Sequence, residues 1–143
     1  MIISGIVQAT ILASGVLLAT GAQTQSCKDM VYENRNQIDY GRPVQVTALF
    51  GAAQDMEKVR VPKACVGIFT EPEHRLVAAE TTENGEFEIR GVPNGDYRIV
   101  VKYNGFCPAN ALVRLRQRSG RGKPLIVHMR PAGIDTCSYV DKK

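Results

Sequence analysis

The side chains best suited to hydrolytic chemistry are the two histidines, His74 and His128. A zinc peptidase needs histidine and glutamate at fixed spacing, so that the metal is held and its bound water is activated. His74 follows 71–73 (Glu-Pro-Glu) in a predicted loop, without the His-Glu-x-x-His spacing of a helical zinc site. His128 alternates out of the last predicted strand toward the surface. We therefore expect no catalytic residue, no metal site, no cofactor and no enzymatic activity.

Cysteines provide the second kind of chemistry, and the chain has Cys27, Cys65, Cys107 and Cys137. No two of them have the close Cys-x-x-Cys spacing of a zinc or redox site. An even number of cysteines in an exported chain indicates two disulfides, for which three pairings are possible. We favour Cys27 with Cys137 and Cys65 with Cys107, because the first bond would hold both ends of the mature chain.

A basic stripe is the most prominent predicted surface. The residues that form it alternate along one strand and continue into the next loop: Arg114, Arg116, Arg118, Arg121 and Lys123. Arg98 and Lys102 on the preceding strand are also expected to point outward. Such a stripe suits a phosphorylated lipid, an acidic polysaccharide or an acidic partner. The alternative is a solvated edge strand, on which charge prevents edge-to-edge aggregation.

The formal net charge is only +4, and no aromatic residues interleave with the arginines. Nucleic acid is therefore not an expected partner. The remaining partner classes are an envelope protein and a polysaccharide.

The first residues form a targeting segment. Residues 1–20 contain no charged side chain and are mostly apolar, 19–22 are small, and 23–26 are polar. This pattern is typical of a secretory signal peptide cleaved near residue 22. The alternative is a retained anchor, because about 20 apolar residues can span a bilayer, although a positive flank is missing. We therefore expect a secreted or periplasmic protein with no later membrane span.

The body of the chain alternates between apolar and polar residues, as half-buried strands do. An irregular extension occupies 23–43, and the seven predicted strands lie at 44–50, 64–69, 76–81, 86–90, 97–103, 111–116 and 125–130. Gly51 to Lys58 is predicted to be a loop, and Asn84-Gly85 is predicted to turn a hairpin. This spacing predicts an all-β, seven-stranded sandwich.

Residues 81–106 carry a more specific pattern, in which an Asn-Gly turn, a Phe, a Gly-Val-Pro-x-Gly-x-Tyr step and a Gly-Phe pair follow one another. The matching residues are Thr82, Asn84, Gly85, Phe87, Gly91, Val92, Pro93, Gly95, Tyr97, Val101, Gly105 and Phe106. The pattern resembles the carboxypeptidase regulatory-like domain. That resemblance implies a prealbumin-like Greek-key β-sandwich over 44–131, followed by a tail over 132–143. Phe87 and Tyr97 should enter the core, and Pro93 should preset a turn.

The resemblance also implies a non-catalytic accessory domain, since members are attached to metallopeptidases, outer-membrane transporters and surface proteins. We expect an exported binding or scaffolding domain at the cell envelope, for carbohydrate or an anionic surface, because the fold superfamily includes carbohydrate-binding modules. The first alternative is a protein-interaction module for a separately encoded transporter or peptidase. The second is a hydrolase, which would need His74 or His128 to face an Arg and a Ser or Thr in one pocket.

Overall fold

The computed structural model describes Cys27, Met30 and residues 43–70, 74–133 and 137–143. The predicted signal peptide, 1–22, lies outside these residues, as does nearly all of the predicted extension, 23–43. The described residues contain no α-helix. They therefore include no helix of the length and apolarity that a bilayer crossing requires.

Eleven strands make up the described part of the chain. They are β1 (Val44–Val46), β2 (Leu49–Gln54), β3 (Cys65–Thr70), β4 (His74–Glu80), β5 (Glu86–Ile89), β6 (Gly95–Lys102), β7 (Phe106–Cys107), β8 (Ala109–Leu115), β9 (Leu125–His128), β10 (Arg130–Pro131) and β11 (Tyr139–Lys142). One sheet has the order β1-β8-β6-β3-β4 and a second the order β11-β9-β2-β5, while β7 and β10 form a short pair. The all-β class is confirmed. The strand number is higher than the predicted seven, because one predicted strand is divided and three short strands were not foreseen.

The divided strand is the first one, which passes from one sheet to the other. β1 pairs in parallel with β8, whereas β2 pairs in parallel with β9. The chain bends between them at Thr47 and Ala48. The bend shifts the alternation of buried and exposed side chains by one residue. Leu49, and not Phe50, is therefore buried in the core. β2 then continues to Gln54, and the predicted loop from Gly51 onward is wrong over these residues.

The Asn84-Gly85 turn forms, but it does not close a hairpin. It joins β4 at the edge of one sheet to β5 at the edge of the other. Gly85 has a φ of +69°, and its N–H donates to the Thr82 carbonyl at 2.8 Å. The buried Thr81 hydroxyl donates to the Val61 carbonyl and accepts from the Ala64 N–H, both at 2.8 Å. The hairpin prediction is wrong. The positive φ at Gly85 allows the chain to turn, but it does not determine which strands the turn brings into one sheet.

The core lies between the two large sheets, and both aromatic predictions are confirmed there. Phe87 is 4% exposed and Tyr97 is 7% exposed. The Tyr97 hydroxyl is satisfied, because it donates to the Pro93 carbonyl at 2.6 Å. This hydrogen bond connects the core to the turn that precedes β6.

A smaller cluster covers part of the outer face of the sheet that contains β3 and β6. Met30 packs there against Phe69 and Val100. Arg98 lies on the same face, is only 7% exposed, and donates to the Asn110 side-chain oxygen at 2.9 Å. The expectation that Arg98 belongs to an outward basic surface is therefore wrong, since its neighbours cover it. Lys102 is half-buried.

The structure contains two disulfides, Cys27–Cys65 and Cys107–Cys137, with Cα–Cα distances of 5.3 and 5.4 Å. The favoured pairing of Cys27 with Cys137 and of Cys65 with Cys107 is therefore wrong. The Cys107–Cys137 bond joins segments that also lie side by side, since Ser138, next to Cys137, donates to the Cys107 carbonyl. The Cys27–Cys65 bond joins β3 to a segment whose Met30 packs on Phe69 of the same strand. Residues 139–142 of the predicted tail form β11, which pairs antiparallel with β9.

Replacement of Tyr97 by Phe should lower the free energy of unfolding by about 1 kcal/mol, because the Pro93 carbonyl loses its donor. Urea denaturation measures this difference. Tyr103→Phe is the matched control, since Tyr103 is 39% exposed and its change should leave stability unaltered. Equal effects of the two substitutions would contradict the assigned hydrogen bond.

A peptide map of the non-reduced protein should contain Cys27 linked to Cys65 and Cys107 linked to Cys137. Mass spectrometry before and after reduction identifies the linked peptides. Recovery of a Cys27–Cys137 peptide would show that the neighbouring segments are placed incorrectly.

Candidate binding site

A cleft of about 300 Å³ opens at the end of the sandwich where the chain crosses between the sheets. Thr47 and Ala48 contribute its wall at the crossing. The remaining polar wall comes from β5 and the residue after it, and from the loop that joins β8 to β9. These walls carry Glu88, Arg90, Arg118 and Arg121.

The cleft has an excess of positive charge. Glu88 is the one acidic residue among the described residues that line it. Arg121 Nη2 lies 2.8 Å from Glu88 Oε2, and Arg90 Nη2 lies 3.0 Å from Glu88 Oε1. Hydrogen bonds from Arg121 and then from Arg90 lower the pKa of Glu88. Arg118 has no acidic partner in the described part of the chain, so the cleft has three guanidinium groups and one carboxylate, which pairs with two of them.

Backbone contacts hold the cationic loop, 116–124, against the rest of the cleft. The Thr47 hydroxyl donates to the Arg121 carbonyl at 3.1 Å. The side chain of Gln117 donates to the Val92 carbonyl at 2.7 Å, and its backbone N–H donates to the Asn94 side-chain oxygen at 2.8 Å. The Arg121 guanidinium lies over an aromatic ring, 4.9 Å from the centre of Phe50. The loop backbone and the Arg121 guanidinium are thus held in place by contacts within the chain.

The predicted basic stripe is divided by its ion pairs. Arg114 faces Asp96 across the β6–β8 pairing, with Nε to Oδ1 at 2.9 Å and Nη2 to Oδ2 at 3.3 Å. Arg116 approaches the same carboxylate at 3.9 Å. These two arginines share the Asp96 carboxylate and lie outside the cleft, whereas Arg118 and Arg121 line it. Lys123 is exposed on the same loop.

The two histidines lie apart from this cleft and from each other. His74 is the first residue of β4, not part of a loop as predicted, and it is exposed. His128 is in β9, in the other sheet, and its ring stacks on Tyr139 with centroids 4.5 Å apart. No group of three or more His, Cys, Asp or Glu side chains is placed to hold a metal ion anywhere in the described ranges.

The sequence analysis did not identify four residues of the cleft: Glu88, Arg90, Thr47 and Ala48. Glu88 and Arg121 are far apart in the sequence, and their ion pair depends on which strands share a sheet. No local pattern contains that information. The alternating charges at 86, 88 and 90 indicated only an outward face of β5.

The Asp96–Arg114 pair gives a pH-dependent prediction. Hydrogen bonding to Arg114 lowers the pKa of Asp96 below its usual value. A carboxyl with a lowered folded pKa stabilises the fold above its unfolded pKa, and that stability is lost as the pH falls through the folded pKa. Thermal unfolding of Asp96→Asn should therefore show a smaller loss of stability below about pH 4. In an Arg114→Gln background, Asp96→Asn should change little more, and an equal change in both backgrounds would contradict the pairing.

Most of the residues that line the cleft fall within a stretch of the chain that a family model matches. A comparison with curated proteins finds no match. A family model for the carboxypeptidase regulatory-like domain matches residues 48–128, which is more than half of the chain and runs from the crossing through β9. The resemblance drawn from residues 81–106 is confirmed, and the chain belongs to the carboxypeptidase regulatory-like domain family.

Proposed function

We propose that the protein is an exported binding module of the cell envelope whose ligand is an acidic polysaccharide. The family suggests a non-catalytic, transthyretin-like module. The observation that carries the proposal is the cleft in which Arg90, Arg118 and Arg121 are opposed by one carboxylate, that of Glu88. The ligand supplies the carboxylate or sulfate groups that the cleft lacks.

The chemistry of the cleft suits repeated acidic groups. A guanidinium is a planar donor that binds carboxylate or sulfate through two parallel hydrogen bonds. The cleft is open, so a polymer can pass through it, and Lys123 on the same loop can meet a further acidic group. Neutral sugars are a poorer match, because they are commonly stacked on Trp and the chain contains none.

Export is supported by two independent features. The first residues have the pattern of a secretory signal peptide. The structure contains two disulfides, and such bonds persist mainly in oxidising compartments. Envelope and extracellular compartments are also where acidic polysaccharides occur.

Immobilised dextran sulfate should retain the exported protein, whereas immobilised neutral dextran should not. Arg118→Gln combined with Lys123→Gln should weaken retention about tenfold, because charge-assisted hydrogen bonds are lost. Salt should release the wild-type protein, since the contacts are solvent-exposed charges. Binding is measured by the equilibrium fraction retained.

Arg114→Gln combined with Arg116→Gln is the matched control, because it removes the same charge from the arginines that share Asp96. This variant should bind nearly as well as wild type. If both double variants lose binding equally, net charge and not the cleft accounts for retention. Equal retention by dextran and dextran sulfate would also contradict the proposal.

A second candidate function is a protein-interaction module for a separately encoded transporter or peptidase. It is favoured by the outer face of the sheet that contains β2, β9 and β11, where Phe50 and Ile126 are half-buried and Tyr139 is 43% exposed. This function predicts capture of a protein partner by crosslinking in cells, and no retention by dextran sulfate.

A further inference from the structure

The loop between β2 and β3 displays apolar side chains to solvent. Met56 is 59% exposed and Val59 is 57% exposed, and these are the highest values among the large hydrophobic residues that the structure describes. The loop leaves β2 at the end opposite the cleft, since Leu49 at the start of β2 lines the cleft. Six strand residues separate the two ends by about 20 Å.

Hydrogen bonds hold this loop in one conformation. The Asp55 carboxylate accepts the backbone N–H groups of Glu57 and Val59, both at 2.9 Å. The Asp55 N–H donates to the Val59 carbonyl at 2.9 Å, and the Lys58 N–H donates to the Asp55 carbonyl at 3.1 Å. These hydrogen bonds therefore fix the directions of Met56 and Val59.

The backbone of the loop is locally strained. Lys58 has a φ of +64° and Lys63 a φ of +59°, and no other non-glycine residue in the described ranges has a positive φ. Residues that carry a Cβ disfavour this region, and they retain it only where the surroundings impose it. Both strained positions lie in the loop that carries the exposed apolar pair, so the loop keeps a costly conformation that presents Met56 and Val59.

Cations outnumber the exposed acid around the apolar pair. Lys58, Arg60 and Lys63 are exposed, as is Glu57, and the Asp55 carboxylate accepts two backbone N–H groups within the loop. Tyr103, which is 39% exposed, lies at the same end, because β6 ends where β3 begins. An apolar tip with an excess of cations beside it matches the boundary between anionic headgroups and acyl chains.

We propose that the loop 55–63 docks the protein on a membrane that contains anionic lipid. Met56 and Val59 enter the boundary between headgroups and acyl chains, while Lys58, Arg60 and Lys63 contact lipid phosphates. Met56 and Val59 lie at the end of β2 opposite the cleft, and Arg60 lies on the sheet face between them, where it lines a depression with Glu88 and Arg121. The inference does not depend on the ligand of the cleft, and its test does not use that ligand.

The chain has no Trp, so one introduced Trp reports on its own surroundings. Exported Met56→Trp protein is mixed with phosphatidylcholine vesicles with or without phosphatidylglycerol. The emission should shift to shorter wavelength, and acrylamide quenching should fall, only with phosphatidylglycerol. Leu76→Trp is the matched control, because Leu76 is 44% exposed on β4, and its emission should not change. Val59→Trp repeats the test if Met56→Trp does not fold.

Added to the Met56→Trp protein, Arg60→Gln should weaken vesicle binding about fivefold, the contribution of one cation near an anionic surface. The proposal is overturned if the emission of both the Met56→Trp and the Val59→Trp proteins is unchanged with both kinds of vesicle. It is also overturned if the Leu76→Trp control shifts equally, or if the shift needs a protein partner and no lipid. The readout is local, so a retained apolar segment at 1–22 does not imitate the expected result.

Discussion

The close parallel pairing of β2 with β9 is the constraint on which the rest of the structure depends. Gly51 allows it, because a Cβ at this position would overlap the Leu125 carbonyl. With β2 held beside β9, and β1 held beside β8 in the other sheet, the chain must cross between the sheets at Thr47 and Ala48. The two partner strands, β8 and β9, follow one another in the C-terminal half of the chain. The loop 116–124 that joins them therefore lies beside the crossing. The cleft exists because these segments meet there.

The same pairings decide which arginines are available to a ligand. In β8 the register places Arg114 beside Asp96, so a predicted binding residue forms an ion pair within the chain. Beyond the end of β8 no strand partner is present for Arg118, and its charge remains uncompensated among the described residues. The basic stripe in the sequence thus becomes two groups, one that shares Asp96 and one that lies at the cleft. Which arginines are paired with an acid is therefore determined by strand register more than by composition.

Much of the fold could be predicted from local patterns. Alternation placed a strand at or near each of the seven predicted segments, and the motif over 81–106 identified the family. What local patterns could not supply was long-range pairing. The Asn84-Gly85 turn forms as expected but joins strands of different sheets, and each cysteine bonds a spatial neighbour that the sequence spacing did not single out. Glu88 was missed for the same reason, since its partner Arg121 is brought to it only by the packed sheets.

The central claim is that acidic polymer binds in the cleft between the crossing and the cationic loop. Nuclear magnetic resonance of the ¹⁵N-labelled protein, titrated with short dextran sulfate chains, tests it residue by residue. The account predicts that the largest amide shifts fall at Thr47, Gly91 and 117–121, with little change at Asp96 and Arg114. Shifts centred on the Asp96–Arg114 pair, or spread evenly over all exposed cations, would contradict it.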